Sequence, residues 1–437
     1  MPLSRRTLLQ GAVFGGGFGA LATTELRRPA EAREEPSYAP ISRLPAPAAS
    51  GIEHVVVAMV ENRSFDHLLG WLPEADGRQS GLTYLDRHGK PHATHHLTRF
   101  DGCGLADPSH SIAGGRIEFN HGACDGWMRA RANDTECIGY YTQPDLPFLG
   151  QAAPSWTVFD RYFAATLAET YPNRLYLHAG QTDRMHNSMV LAKMPTIWDR
   201  LAEAGVSGTY YFNDVPFLAL WGSKYISTAK RYDDFLSDAA TGKLPAVSFV
   251  DPRFQQELRG TSGDYHPPGD IRAGEAWLNE VYDAVRHSPN WATTVLVISF
   301  DEWGGYFDHV PPRRAPDTNM FTARRGFRVP AMLISPRARR AAVNHHTYDH
   351  TSILKMIEWR WGLAPLAPRD RAARNIAEAL NYSEPANLHS PTFTVPAFIS
   401  PGCASASRSL GAPTEATEMP ALKELALQHG WPLIGPP

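Results

Sequence analysis

The stretch TTVLVISFDEWGGYFDHVPP, residues 293–312, decides how the rest of the chain is read. Residues 295–300 are an apolar run of buried-strand length, rich in β-branched side chains. They lead directly into Asp301 and Glu302, then Gly304, Gly305, Asp308 and His309. In a parallel α/β sheet, ligands gather where strands pass into loops at their carboxyl ends. Two adjacent carboxylates at such a point repel each other unless a cation or a shared proton lies between them, and a divalent metal is the simplest answer. A helix cap or a turn with solvated acids explains the dipeptide equally well when it is taken alone.

Working outward, residues 53–60 (EHVVVAMV) form a second strong strand signal, ending in Glu61, Asn62, Arg63 and Ser64. Glu61 is a hard oxygen ligand, and Asn62 offers a carbonyl to a metal or an amide to an anion. The competing reading is a helix-capping element, since Asn and Ser favour that position. A third strand, residues 246–250, delivers Asp251 in the same way and makes it a second-rank candidate. Strand signals at 209–212 and 329–335 alternate with helical patterns at 194–204, 272–287 and 353–361, which is the alternation of an α/β protein.

Between residues 70 and 150 the periodicity loosens into Gly, Pro, Asp and His, with His110 and His121 as possible site residues or merely structural ones. Trp71, Trp127 and Met128 of this region either form a lipid-facing rim or pack inward. Thr170 precedes Tyr171 and Pro172, which places its hydroxyl at a bend with a helix expected to begin near Asn173. A helix amino terminus favours an anion such as phosphate, although a plain N-terminal cap accounts for the threonine as well. His266 lies in the Gly- and Pro-rich loop 263–268, and a short helix is expected near 421–428 in the tail.

With 437 residues, 43% apolar content and 11 tryptophans, the chain is long enough and apolar enough for a large core. A formal charge of −3 gives no support to a nucleic-acid partner. At the start, Arg5 and Arg6 precede a short glycine-rich apolar run ending in Ala20, Leu21 and Ala22, the pattern of a twin-arginine export signal with its cleavage site. Residues 1–22 are read as this signal, 23–50 as a linker, and 51–437 as one catalytic domain with an irregular tail. Export places the protein in the periplasm, at the cell wall or outside the cell, where disulfides form. Of Cys103, Cys124, Cys137 and Cys403, the first three suggest one local disulfide; their spacing from His110 and His121 matches no standard zinc pattern.

Taken together, ENRSFDHLLGW (61–71), DPSHS (107–111), TYPNRLYLHA (170–179) and SFDEWGGYFDHVPP (299–312) resemble the phosphoesterase family of bacterial and plant non-specific phospholipases C and AcpA-type acid phosphatases. The resemblance runs in order from about residue 53 to 363. It implies a three-layer α/β/α sandwich like alkaline phosphatase, with a central, mostly parallel sheet and long irregular insertions. It implies a divalent cation, with Ca, Mg and Zn as candidates, held by Glu61, Asn62, Thr170, Asp301 and Glu302. Thr170 becomes the nucleophile, Asn62 and His110 bind phosphate, and His309 or His266 protonates the leaving oxygen. The expected activity is a phospholipase C that releases diacylglycerol and a phosphorylated head group through a phosphothreonine. An exported acid phosphatase acting on small phosphate monoesters is the alternative, and a non-catalytic secreted binding protein is a remote one. The implied substrate is a phospholipid or small phosphate ester, with transient contact at a membrane surface.

Overall fold

Two runs of β-branched residues, HVVVAMV and TVLVISF, build the centre of the molecule because neither leaves a face for water: both are buried along nearly their whole length. The computed structural model describes residues 42–404 and 418–433, apart from 106, 131, 132 and 256. The expected export signal and most of the expected linker lie outside the described residues. The main sheet has eight strands: β1 (His54–Val60), β2 (Thr157–Phe159), β3 (Gly208–Phe212), β4 (Ala229–Arg231), β5 (Val247–Val250), β6 (Thr294–Phe300), β7 (Ala331–Ile334) and β8 (Ala342–Asn344). Their order is β8-β2-β7-β6-β1-β5-β3-β4. Only β7 pairs antiparallel to its neighbours, so the sheet is mostly parallel, as expected.

The longer helices are α1 (Ile112–Phe119), α2 (Thr170–Ala179), α3 (Ile197–Glu203), α4 (Tyr232–Ala240), α5 (Ile271–Arg286), α6 (His350–Trp361) and α7 (Glu418–Gln428). Adjacent residues of a strand point to opposite faces, so Tyr210 and Tyr211 of β3 report on both layers. Tyr210 packs on His178 of α2, while Tyr211 packs on Phe235 of α4. Phe249, in register with Tyr210, meets both His178 and Trp198 of α3. Helices α2 and α3 therefore cover one face and α4 the other, with α6 packed against α2 and α5 against α4. The result is the α/β/α sandwich.

Two helix starts differ from expectation. Helix α2 begins at Thr170 itself, with Glu169 as its N-cap, rather than near Asn173. Pro172 sits in the first turn, where its missing N–H has no intrahelical partner to lose. Helix α3 begins at Ile197 because Thr196 and Asp199 close a reciprocal capping box there. Helix α1 was hidden in the sequence by Gly114 and Gly115. Those glycines are required by close packing, since a Cβ on Gly115 would sit 2.9 Å from the Trp303 ring.

The irregular region 70–150 folds around a second apolar cluster in which Trp127 and Met128 are buried with Trp303, Phe307 and Phe327. Trp71 is half-buried and donates its indole N–H to Leu68 O at 2.7 Å. Trp127 and Met128 therefore pack inward, and Trp71 packs partly against the main core. The expected local disulfide is also corrected. Cys103 bonds to Cys403, while Cys124 and Cys137 are buried free thiols, Cys137 within the same apolar cluster. The backbone explains the long-range pairing: Gly102 N–H donates to Pro268 O at 3.1 Å and Cys403 N–H to Arg259 O at 2.7 Å, so loop 259–268 draws both cysteines together. Among the described residues, no helix is long and apolar enough to cross a membrane.

The Cys103–Cys403 bond closes a loop spanning 300 residues, and such bonds typically contribute about 2–5 kcal/mol. Cys403→Ser is expected to lower the thermal midpoint by several degrees, and Cys103→Ser combined with it to add nothing further. Calorimetry of the single and double variants reads both; an additive double variant contradicts the pairing.

Candidate active site

Strand register sets the geometry. Strands β1 and β6 are paired through Met59↔Ser299 and Val60↔Phe300, so Glu61 and Asp301 leave the sheet side by side. Asp301 N–H donates to Val60 O at 3.0 Å and keeps the two ends together. Ala58↔Val250 places Asp251 at the end of the next strand, β5. Three neighbouring strands thus deliver three carboxylates to one spot, and Glu302 follows directly. Asp251 is 4% exposed and the other three are fully buried.

Helix α2 supplies what lies over them. Thr170 and Arg174 are four residues apart and so share a helix face. The Arg174 guanidinium reaches Glu61 Oε1 at 3.1 Å, Asp251 Oδ1 at 3.0 Å and Asp301 Oδ2 at 3.3 Å. The Thr170 hydroxyl donates to Asn62 Oδ1 at 3.4 Å, and Asn62 N–H donates to Asp301 Oδ1 at 3.1 Å. Asn62 holds φ at +59°, a left-handed conformation that asparagine tolerates better than most residues. Gly304, at φ +62°, passes so close that a Cβ there would lie 2.0 Å from Asn62 O. Gly305 also packs closely, and a Cβ there would lie 2.7 Å from Pro108 and Ser109. The glycine pair is therefore the wedge that lets the loop bearing His110 close onto the loop bearing Asn62.

His110 Nε2 lies 3.8 Å from Glu302 Oε1, and the His110 and His266 rings are 6.1 Å apart between centroids. Backbone carbonyls fix both rings: Pro108 O meets His110 Nδ1 at 2.9 Å, and Pro267 O meets His266 Nδ1 at 2.5 Å. A neutral ring held this way carries its proton on Nδ1 and turns a bare Nε2 inward. Burial, and then the neighbouring His110, pull His266 down to about 3. Burial pushes Glu61 and Glu302 well above the usual carboxylate range, with Asp301 repulsion adding to it, and raises Asp264 to about 7.

Glu61 Oε2, Glu302 Oε1 and Asp264 Oδ2 are buried without a hydrogen-bond partner, as is the amide nitrogen of Asn62, while Glu61 Oε1 has the Arg174 ion pair. Buried carboxylate oxygens with no donor are costly, and this hard-oxygen set fits a divalent cation such as Mg, Ca or Mn. Among the described residues, three groups have ligand atoms within 4.8 Å of one another: Glu61 with Glu257 and Asp264, Asp107 with His110 and His266, and Asp66 with Asp308 and His309. The structure thus brings Glu61, Asn62, Thr170, Asp301, Glu302, His110 and His266 into one neighbourhood, with Arg174 standing between Glu61 and Asp301.

His309 is placed elsewhere. Its Nδ1 is 2.5 Å from Asp66 Oδ2 and its Nε2 is 3.1 Å from Asp76 Oδ1, so both ring nitrogens are engaged by carboxylates. Its backbone N–H donates to Asp66 as well, at 2.9 Å. Arg328 completes the group, at 3.0 Å from Asp66 and 2.9 Å from Asp308. Burial pulls the His309 imidazole down, but its bonds to Asp66 and Asp76 outweigh that and bring it to about 9. His121 is an exposed turn residue.

Arg174, Asp107, Glu257 and Asp264 were not singled out from sequence, nor was His350, whose Nε2 meets Asp301 O at 2.6 Å. Arg174 was legible through its spacing from Thr170. The others come together only through contacts distant in sequence.

The model of the Phosphoesterase family matches residues 52–364 of this chain. Non-specific phospholipase C6 of Arabidopsis thaliana is 30% identical over 379 residues, covering 76% of this chain and 73% of that protein. Phospholipase C B of Mycobacterium tuberculosis is 30% identical over 429 residues, covering 79% of this chain and 80% of that protein. Among solved structures, a protein of the alkaline phosphatase superfamily from Vibrio parahaemolyticus aligns at 9% identity and TM-score 0.36, covering 88% of this chain and 89% of that one; a likeness that loose carries no weight.

Two outcomes test this geometry. Gly304→Ala forces a clash onto Asn62 O in a left-handed backbone, and strain with overpacking of this kind costs roughly 2–4 kcal/mol. The variant is expected to unfold at lower denaturant and to lose activity; wild-type stability contradicts the wedge. His309, with its pKa raised from the unfolded value near 6.5 to about 9, contributes stability that is full below about pH 6.5 and lost as pH rises through about 9. The stability gap between the wild type and His309→Gln is expected to shrink by an amount of the order of 3 kcal/mol between pH 6 and pH 9.5, read by urea titration. A gap independent of pH contradicts the ion pair.

Proposed function

This chain belongs to the Phosphoesterase family, and from that premise we propose that it is an exported, metal-dependent phospholipase C working through a phosphothreonine at Thr170. That it is a phosphoric ester hydrolase follows from the family and from the phospholipase C relatives. The observation that carries the finer reading is the convergence in one neighbourhood of a buried hydroxyl, Thr170, with two buried carboxylate oxygens that have no hydrogen-bond donor, Glu61 Oε2 and Glu302 Oε1.

Glu61, Asn62, Asp301 and Glu302, together with the Thr170 oxygen, are the residues that would hold the cation. When bound, that cation lowers the pKa of the threonine hydroxyl and offsets charge on the phosphate oxygens. The chain itself does the rest. Asn62 Oδ1 takes the hydroxyl hydrogen of Thr170 and so orients the oxygen lone pairs away from the sheet. Arg174 spreads Glu61, Asp251 and Asp301 to fixed positions and keeps their mutual repulsion from opening the site. Thr170 Oγ1 then gives up its proton to water and attacks phosphorus in line, and the ester oxygen of diacylglycerol leaves.

His266 gives that oxygen its proton. Its Nε2 is the ring nitrogen not tied to Pro267, and a phosphate bound beside it raises its depressed pKa, so the ring gains a proton as substrate enters. His110 donates to a non-bridging oxygen once its Nε2 has taken up a proton, as that of His266 does. In the second half, His266 takes a proton from water, and water releases the phosphorylated head group. His309 supports the loop through Asp66 and Arg328 instead of donating the proton.

Thr170→Ala is expected to lose at least about a thousandfold in kcat while folding normally, and Thr170→Ser to keep measurable turnover. Near-normal activity in Thr170→Ala removes the nucleophile assignment. Glu61→Ala and Asp301→Ala are expected to lose bound metal by elemental analysis; full occupancy in both contradicts the cradle. Phosphatidylcholine assayed beside a soluble phosphomonoester separates the two substrate classes: release of diacylglycerol at the higher kcat/KM is expected, and turnover of the monoester alone makes the protein an acid phosphatase.

A further inference from the structure

The segment 313–325, RRAPDTNMFTARR, folds back on itself as a narrow hairpin. Arg314 and Arg324 pair across it as an antiparallel bridge, Ala315 N–H donates to Ala323 O at 2.8 Å, and Arg325 N–H donates to Arg313 O at 3.2 Å. Its tip is fixed by Asn319, whose side-chain oxygen accepts from Phe321 N–H at 2.9 Å and whose carbonyl accepts from Thr322 N–H at 3.2 Å. On that ordered tip, Met320 is 69% and Phe321 66% exposed. Two adjacent large apolar side chains held out into water by a rigid turn are not the ordinary scatter of surface hydrophobes.

The foundation of the hairpin is also rigid. Asp317, its only acid, is buried against Arg369 at 2.6 Å and receives the Tyr176 hydroxyl. Arg369 Nη2 also donates to Thr322 O at 3.2 Å. Tyr176 belongs to α2, the helix that begins with Thr170. Leu167 N–H donates to Arg324 O at 3.1 Å and Gly326 N–H to Ala164 O at 3.0 Å, so the hairpin is also stitched to the strand of chain leading into Thr170. With Asp317 buried, the exposed charge of the hairpin is wholly basic: Arg313 and Arg314 are exposed and Arg324 is half-buried, its guanidinium 4.2 Å over the Phe119 ring.

We propose that this hairpin is a lipid-surface anchor in which Met320 and Phe321 enter the interface of an anionic bilayer and the flanking arginines meet its head groups. The proposal deepens the phospholipid reading and rests on it for its purpose, since a device joined to both sides of Thr170 holds the nucleophile at a defined distance from the bilayer. Apolar side chains beside cations are the combination that interfacial binding requires, because burial of the former and attraction of the latter add. The surface recognised is a phospholipid bilayer with acidic head groups, such as one containing phosphatidylglycerol.

The test is co-sedimentation of the full-length mature protein with phosphatidylcholine–phosphatidylglycerol vesicles and with pure phosphatidylcholine vesicles. Transfer of a large apolar side chain out of water is worth about tenfold in partitioning, so Met320→Ser with Phe321→Ser is expected to bind the mixed vesicles about a hundredfold more weakly. Arg313→Gln with Arg314→Gln is expected to lose only the preference for the anionic mixture. Both pairs are expected to keep wild-type turnover of a soluble phosphomonoester, which shows that they fold. Vesicle binding by the serine pair equal to wild type overturns the anchor. So does a wild-type dimer in sedimentation equilibrium that the serine pair converts to monomer, because the apolar tip then meets a second copy of the chain. Binding and hydrolysis are read separately: wild type that binds the mixed vesicles through this tip but releases no diacylglycerol supports the anchor while refuting the phospholipase reading.

Discussion

Arg174 joins the ends of three neighbouring strands, with one guanidinium reaching Glu61 from β1, Asp251 from β5 and Asp301 from β6. Parallel register leaves these carboxylates no choice but to emerge together, and burial then sets their repulsion against the stability of the sheet. The carboxylates raise the guanidinium pKa despite its burial, so the positive charge stays in place. Losing one partner of such a buried group typically costs about 3–5 kcal/mol, because the remaining charges have no solvent to turn to. The same residue carries the site upward: its helix begins four residues earlier at Thr170, so the contact that neutralises the strand ends also fixes the hydroxyl above them.

Charge is divided between two clusters with different duties. Around Arg174, Glu61 Oε2 and Glu302 Oε1 are left without a hydrogen-bond donor, which suits a cation. Around Arg328, by contrast, Asp66, Asp76, Asp308 and His309 satisfy one another with direct bonds, which is the arrangement of a structural brace. The Phe65-Asp66-His67 and Phe307-Asp308-His309 segments interlock there, with Asp66 N–H donating to Asp308 and His309 N–H donating to Asp66. One segment follows Glu61 and the other follows Glu302, so the brace sits just behind the two halves of the cradle and holds their spacing.

Much of this was legible in the sequence where the signal is local. The runs before Glu61, Asp251 and Asp301 are apolar on both faces, which identified the central strands and the acids at their ends. Short strands such as TVF at 157–159 and AVN at 342–344 carry too few residues for a period to emerge, and they exist because neighbouring strands of the sheet pair with them. Helix α1 was obscured by glycines that serve packing against Trp303, not chain reversal. The capture of His309 by Asp66 was not legible because the two lie 243 residues apart, and Cys103 finds Cys403 across 300 residues. Partners at that separation leave no mark on local pattern; they appear only once strand register has brought the loops together.

The central claim is that Thr170 forms a covalent bond to phosphorus, and the most direct measurement is acid quenching of the enzyme during turnover of phosphatidylcholine, followed by mass spectrometry of its peptides. The account predicts a phosphocholine group esterified to the hydroxyl of Thr170 in the quenched enzyme and none in enzyme quenched before substrate is added. Phosphocholine on another residue, or Thr170 unmodified in enzyme quenched throughout the first turnover, would contradict it.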